Sequence, residues 1–221
     1  MTQVTQISPT QKRKDRFSVY LEGKFAFAVS EFILNKYKLK ERTELSSIQV
    51  EEIVFEENLE YLKSKALDLL SRRPRSEKEV VDKLKLTLSK RISSPPRHPE
   101  GGSFRPKDLE RHLVEKVVSF LKKYNYLDDK EFAHWLVEQR LRQNKGPLFI
   151  KQDLFKKGID KELAKEVLES LDIKKALDKA YIKALSKYSK ESDVYKRKQK
   201  IYSYLLRQGF LHEEVQDLLF K

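Results

Sequence analysis

The chain has 221 residues, of which 37% are charged and 39% hydrophobic. That is more charge than a typical globular domain carries, yet enough apolar content for a core, so a wholly disordered chain is excluded. Its 47 Lys and Arg against 34 Asp and Glu give a net charge of +13, a field that favours polyanionic partners, and the absence of cysteine removes disulfide and thiolate chemistry.

In chain order, residues 1–15 are polar and, from Gln11 to Lys14, basic; they read as a flexible tail with no apolar signal core. The period then becomes two. Phe17, Val19 and Leu21 alternate with polar neighbours, Glu22-Gly23 can turn, and Phe25, Phe27 and Val29 alternate again. This predicts a β-hairpin, which is marginal alone and should lie against a helix. A short helix is expected over 32–38.

From about Gln49 the period is helical. Leu59, Leu62, Ala66 and Leu69 share a face, and Pro74 ends that helix. Ser76 and Glu79 open the next as a capping box, followed by the Val80, Leu84, Leu88 stripe. Ser93 to Gly102 is dense in Pro and Gly and reads as part of a flexible insertion over about 89–110. Leu113, Val117, Phe120, Leu121 and Tyr124 resume the helix. Asp128 and Glu131 cap another that turns Phe132, Trp135 and Leu136 inward, Gly146-Pro147 breaks it, and Gly158 offers a left-handed stop. Leu163, Val167, Leu168 and Leu171 form another stripe, a longer helix follows with Leu177, Tyr181, Ala184, Leu185 and Tyr188, and two more are expected over 194–206 and 213–220.

An internal repeat emerges from these elements. A shift of 51 places Ile150, Leu154, Gly158 and Ile159 on Ile201, Leu205, Gly209 and Phe210. The predicted fold is mainly α: three tandem three-helix repeats in a curved elongated body, behind an N-terminal β-hairpin and short helix. The divisions are 1–58, 59–127, 128–171 and 172–221.

Candidate chemistry is sparse. His98, His112, His134 and His212 are scattered without metal-ligand spacing, and no nucleophile–base pair or glycine-rich phosphate loop is present. No enzyme, metal or cofactor is expected. Asp128-Asp129 reads as a helix cap rather than a carboxylate dyad, and Trp135 as a core residue rather than a base-stacking platform. Charge is uneven. Residues 174–207 hold eleven Lys or Arg against three acids, whereas 128–171 hold nine of each sign. Candidate polyanion-binding residues are therefore Arg72, Arg73 and Arg75 at the first helix junction, and Arg140, Arg142 and Lys145 at the second. Lys196, Arg197, Lys198, Lys200 and Arg207 complete the set in the third repeat. No stretch is apolar enough for a membrane helix, so a soluble protein of the cytoplasm is expected.

Tyr126-Leu127-Asp128-Asp129, Phe132-Ala133, Arg140, Gly146, Ile150, Leu154 and Gly158-Ile159, with Arg72, Ser76, Glu79 and Leu84 before them, resemble the RecX family of bacterial RecA regulators. The resemblance covers residues 59 to the end. It implies a monomer that lies along the RecA–DNA nucleoprotein filament and restrains RecA ATPase, strand exchange and SOS co-protease activity, thereby regulating DNA repair and recombination. Contact with single- or double-stranded DNA would be weak and salt-dependent. The insertion and the N-terminal 58 residues depart from the minimal family core, and the hairpin is expected to be an added docking element. The competing reading is a helix-turn-helix DNA-binding protein acting without RecA.

Overall fold

The computed structural model describes residues 1–10, 15–92 and 106–220. It forms two units, residues 1–73 with 80–126 and residues 74–79 with 127–221. The middle of the proline-rich insertion lies outside the described residues; its flanks, 89–92 and 106–110, are helical.

The first unit opens with strands β1 (Thr2–Pro9), β2 (Arg16–Leu21) and β3 (Lys24–Ser30). Helix α1 (Glu31–Lys36) and strand β4 (Glu44–Leu45) follow. The sheet order is β3-β2-β1-β4, and every pairing is antiparallel. The expected hairpin is β2–β3, turned at Glu22 (φ 50°) and Gly23 (φ 76°), the paired positive φ values that suit a tight hairpin turn.

The reading of residues 1–15 as a tail is overturned for Thr2–Pro9, which form the central strand β1. Val4 pairs with Leu21 and Ile7 with Val19, but the register shifts between Val4 and Gln6. That irregularity puts the two apolar residues three apart and erases the period-two signature. Gln11 to Lys14 lie outside the described residues.

Against the sheet lies helix α2 (Ser47–Leu70), started by a reciprocal Ser46–Gln49 capping box. Val4, Val19, Phe27, Val29 and Ile33 pack with Val50 and Ile53 of α2, so the hairpin has the helical support it needs. The division at residue 58 falls inside α2. There Glu57, almost fully buried, accepts hydrogen bonds from Ser30 N (2.8 Å), Ser30 Oγ (3.0 Å) and Arg91 Nη2 (3.0 Å), and pairs with Arg16 Nη2 (3.0 Å). Desolvation lowers the Arg91 pKa, and Arg16 lowers it further. Helices α3 (Glu77–Ile92) and α4 (Pro106–Lys123) complete the first three-helix layer, burying Leu62, Val80, Leu84, Leu88, Leu113, Val117 and Leu121.

In the second unit, α5 (Asp129–Arg142), α6 (Pro147–Lys156) and α7 (Lys161–Glu169) enclose Phe132, Leu136, Ile150, Leu154 and Val167. Helices α8 (Ile173–Lys187), α9 (Val194–Gln208) and α10 (His212–Phe220) enclose Leu177, Ile201, Leu205, Phe210 and Val215. The 51-residue repeat is physical: Ile150 and Ile201, Leu154 and Leu205, and Ile159 and Phe210 are all buried, and Gly158 and Gly209 both have left-handed φ (81° and 93°). Asp128, Asp160, Asp172 and Asp193 each cap a helix start through the side chain.

The junction between these two bundles is made of backbone. Helix α6 begins at Gly146, which has no side-chain cap. Gly146 N instead donates to Gln208 O (2.7 Å) and Leu148 N to Gly209 O (3.0 Å), joining the electropositive start of α6 to the carbonyl end of α9. A Cβ on Gly146 would lie 2.5 Å from the Gly209 carbonyl carbon and oxygen, so only glycine permits this approach. A related contact holds residues 74–79: Lys78 Nζ donates to Lys156 O, Lys157 pairs with Glu79, and Glu77 N donates to Asp129 Oδ1.

Candidate polyanion-binding interface

The eleven candidate cations separate into distinct environments. Arg140, at the end of α5, pairs through Nε with Asp153 of α6 and donates to Gln143, and is only a quarter exposed. Lys145 places Nζ 4.2 Å from the Phe149 ring centroid beside the glycine junction. Both are engaged in holding the second bundle together. Arg142 and Arg72 are exposed, each with an acid one turn back: Glu138 at 3.5 Å and Asp68 at 3.1 Å. Such exposed pairs contribute little stability and exchange readily with another anion. Arg73 and Arg75 are half-buried.

The third-repeat cluster is divided by helix geometry. At about 100° per residue, Arg197 turns toward the buried Ile201–Tyr204–Leu205 side of α9 and is half-buried, while Lys198 projects from the opposite flank. Lys196, Lys200 and Arg207 are separated by four and seven residues and fall on one exposed stripe. With Tyr188, Gln199 and Ser203 they line an open groove of about 310 Å³. This is the site the structure assembles from the predicted residues.

Two of its three cations sit beside a carboxylate. Lys200 bonds to Glu191 and holds that carboxyl below its ordinary pKa, while Lys196 sits 3.9 Å from Asp193. Asp193 is occupied as the α9 cap, accepting from Tyr195 N and Lys196 N. Arg207 is exposed and has no ion-pair partner among the described residues. Tyr188 forms the wall, its ring edge-on to Tyr204 at 6.2 Å, with Lys187 Nζ 5.5 Å and 5.0 Å from the two centroids. Gln199, Ser203 and Tyr188 escaped the charge-based search. The i, i+3, i+4, i+7 spacing from Lys196 would have found the first two once Ile201 and Leu205 fixed the helix phase.

Other sequence candidates resolve plainly. Asp128 caps α5 as expected, and Asp129 accepts from Glu77 N. Trp135 packs half-buried against the second bundle's core, its ring 5.9 Å from Phe132. His112 lies against Phe55 and His212 against Tyr202; His98 is outside the described residues. Among the described residues no cluster of three His, Cys, Asp or Glu could hold a metal, and no helix is long and apolar enough to cross a membrane.

Family models match four stretches in order: the regulatory protein RecX N-terminal domain (2–46) and the RecX first (63–86), second (128–168) and third (172–219) three-helix domains. Regulatory protein RecX of Clostridium beijerinckii is 31% identical over all of this chain and 96% of its own length. The chain belongs to the RecX family. The RecX of Bacillus subtilis is 33% identical over 94% of this chain and 72% of its own length. Among solved structures, a crystal structure of regulatory protein RecX covers 99% of this chain and 98% of its own at 26% identity and TM-score 0.62. That of RecX from Lactobacillus salivarius covers 73% of this chain and 94% of its own at 25% identity and TM-score 0.56. These relatives are named as regulatory proteins rather than for a catalysed reaction. The match over 2–46 also corrects an expectation: the N-terminal sheet is part of the RecX architecture, not an addition to it.

Proposed function

We propose that this RecX protein binds the RecA–DNA filament in the bacterial cytoplasm and restrains RecA, lowering its ATPase, strand-exchange and co-protease activities and so regulating recombination, repair and the SOS response. It acts by binding rather than catalysis, as a monomer without cofactor. The chain-long match to RecX regulatory proteins carries this reading. The α9 stripe supports it: Lys196, Lys200 and Arg207 give a basic ridge facing outward from a rigid bundle, suited to phosphate backbone or to acidic side chains of a nucleoprotein. The decisive experiment is ATP hydrolysis by the cognate RecA on single-stranded DNA, with this protein titrated into preformed filaments. Inhibition well below one molecule per RecA protomer is expected. No effect at stoichiometric excess of folded protein would refute the reading and favour a DNA-binding protein acting without RecA.

A further inference from the structure

The first unit carries a second basic surface of different character, one absent from the charge-based candidates. His112, Lys116 and Phe120 recur every four residues along α4, and Tyr124, one residue past its end, continues the spacing with Tyr124 N still bonded to Phe120 O; the row spans about 18 Å at 1.5 Å per residue. Helix α2 runs beside it and contributes Phe55 and Lys63. Rings and ammonium groups alternate along this row. Lys116 Nζ lies 5.0 Å from the Phe55 centroid, Lys63 Nζ 4.9 Å from Phe120, and Lys123 Nζ 5.7 Å from Tyr124. The Phe55 ring centroid is 5.6 Å from that of His112.

The far end of the row is built by a backbone turn. Asn125 adopts a left-handed conformation (φ 55°), which asparagine tolerates better than most residues, and Tyr126 N then bonds back to Leu121 O (2.9 Å). This folds Tyr126 onto the helix, its centroid 6.4 Å from Phe120 and 6.5 Å from Tyr124, while Phe120 and Tyr124 are 5.0 Å apart. The core has no use for the two tyrosine rings: Tyr124 is 55% exposed and Tyr126 52%. The nearby acids are largely occupied, Glu60 with Lys63 and Glu115 with Arg111, whereas Lys116 and Lys123 have no carboxylate partner among the described residues.

We infer that this row is a stacking path for single-stranded nucleic acid. Exposed rings provide sequence-tolerant faces for unpaired bases, and the interleaved lysines follow the phosphates, which is the chemistry of single-strand recognition. A duplex hides its base faces and would gain only the charge contribution. At about 3.4 Å per stacked nucleotide the row holds roughly five. The surface lies in the first unit, the α9 stripe in the second, and the inference does not depend on the RecA reading.

The test is fluorescence anisotropy of the full chain with a labelled oligothymidylate of about 20 nucleotides, without RecA, across a salt series. Tyr124→Ala with Tyr126→Ala should weaken binding at least tenfold, because stacking on each ring is lost, whereas Tyr124→Phe with Tyr126→Phe should bind within about twofold of wild type. An abasic oligomer of equal length should bind as weakly to wild type as the thymidylate does to the double-alanine variant. Unchanged binding by that variant, with circular dichroism intact, overturns the inference, as does equal affinity for the abasic strand. If the variant keeps its oligonucleotide affinity but loses RecA inhibition, the row contacts protein instead and the inference again fails. A wild-type chain that binds the oligomer but leaves RecA ATPase untouched would refute the filament reading alone.

Discussion

Replacing Glu57 tests the packing of the sheet on the first helical bundle. Its carboxylate is 5% exposed and is shared by Ser30 of β3, Arg16 of β2 and Arg91 of α3, so one side chain ties the sheet to two helices. Glu57→Gln keeps the shape and removes the charge, leaving Arg16 and Arg91, 17% and 22% exposed, facing each other without an anion. Removing one partner of a buried ion pair costs about 3–5 kcal/mol. Here both arginines can turn partly to solvent, which places the expected loss at about 3 kcal/mol, with Glu57→Ala somewhat worse. At an m-value of about 2 kcal/mol/M, that lowers the urea midpoint of the first unit by about 1.5 M in far-UV circular dichroism. The triple change Arg16→Met, Glu57→Leu, Arg91→Met should recover most of the loss, since well-packed apolar groups replace such clusters at little cost. A Glu57→Gln loss below about 1 kcal/mol would refute the argument that this carboxylate organises the unit.

Gly146→Ala should destabilise the second unit by about 2–4 kcal/mol, because the new methyl collides with the Gly209 carbonyl and separates two backbone hydrogen bonds; Trp135, the sole tryptophan, reports that transition by fluorescence. Glu56 is held below its ordinary pKa first by its bond to Lys36 and then by that from Tyr37, so its contribution is present above about pH 4.5 and lost as pH falls through the lowered folded value. Glu56→Gln should therefore lower stability at neutral pH and flatten the acid limb of the urea-midpoint profile, and an unaltered limb would contradict this. Lys196→Gln, Lys200→Gln and Arg207→Gln together should leave helicity intact, weaken RecA inhibition, and reduce the log–log salt slope of any DNA binding by about 2 to 3. Full inhibition by this variant would remove the α9 stripe from the mechanism.

Much of the helical architecture was legible because local rules agree with the fold. Ser76 and Asp128 start helices, Gly158 and Gly209 end them, and the Val80–Leu84–Leu88 stripe is fully buried. What escaped depends on geometry that sequence spacing conceals. Strand β1 lost its alternation to one irregularity after Val4. Arg197 and Lys198 are adjacent in sequence but diverge around the helix, and Arg140 looks like a surface cation until α6 brings Asp153 beside it. Phe120 and Tyr124 were visible only as helix residues and Tyr126 only within a motif, because the closure of their cluster depends on the left-handed Asn125.

The joint between the second and third bundles is written in peptide groups, which every amino acid except proline supplies in full. The glycines allow the approach, and main-chain hydrogen bonds from Gly146 and Leu148 hold the two bundles in step. Outward-facing positions on α6 and α9 can therefore change identity, even charge sign, while the spacing between one bundle's surface and the next stays fixed. Such a chain can be re-tuned to a different partner surface one residue at a time, because its register is set by the main chain and its affinity by the side chains.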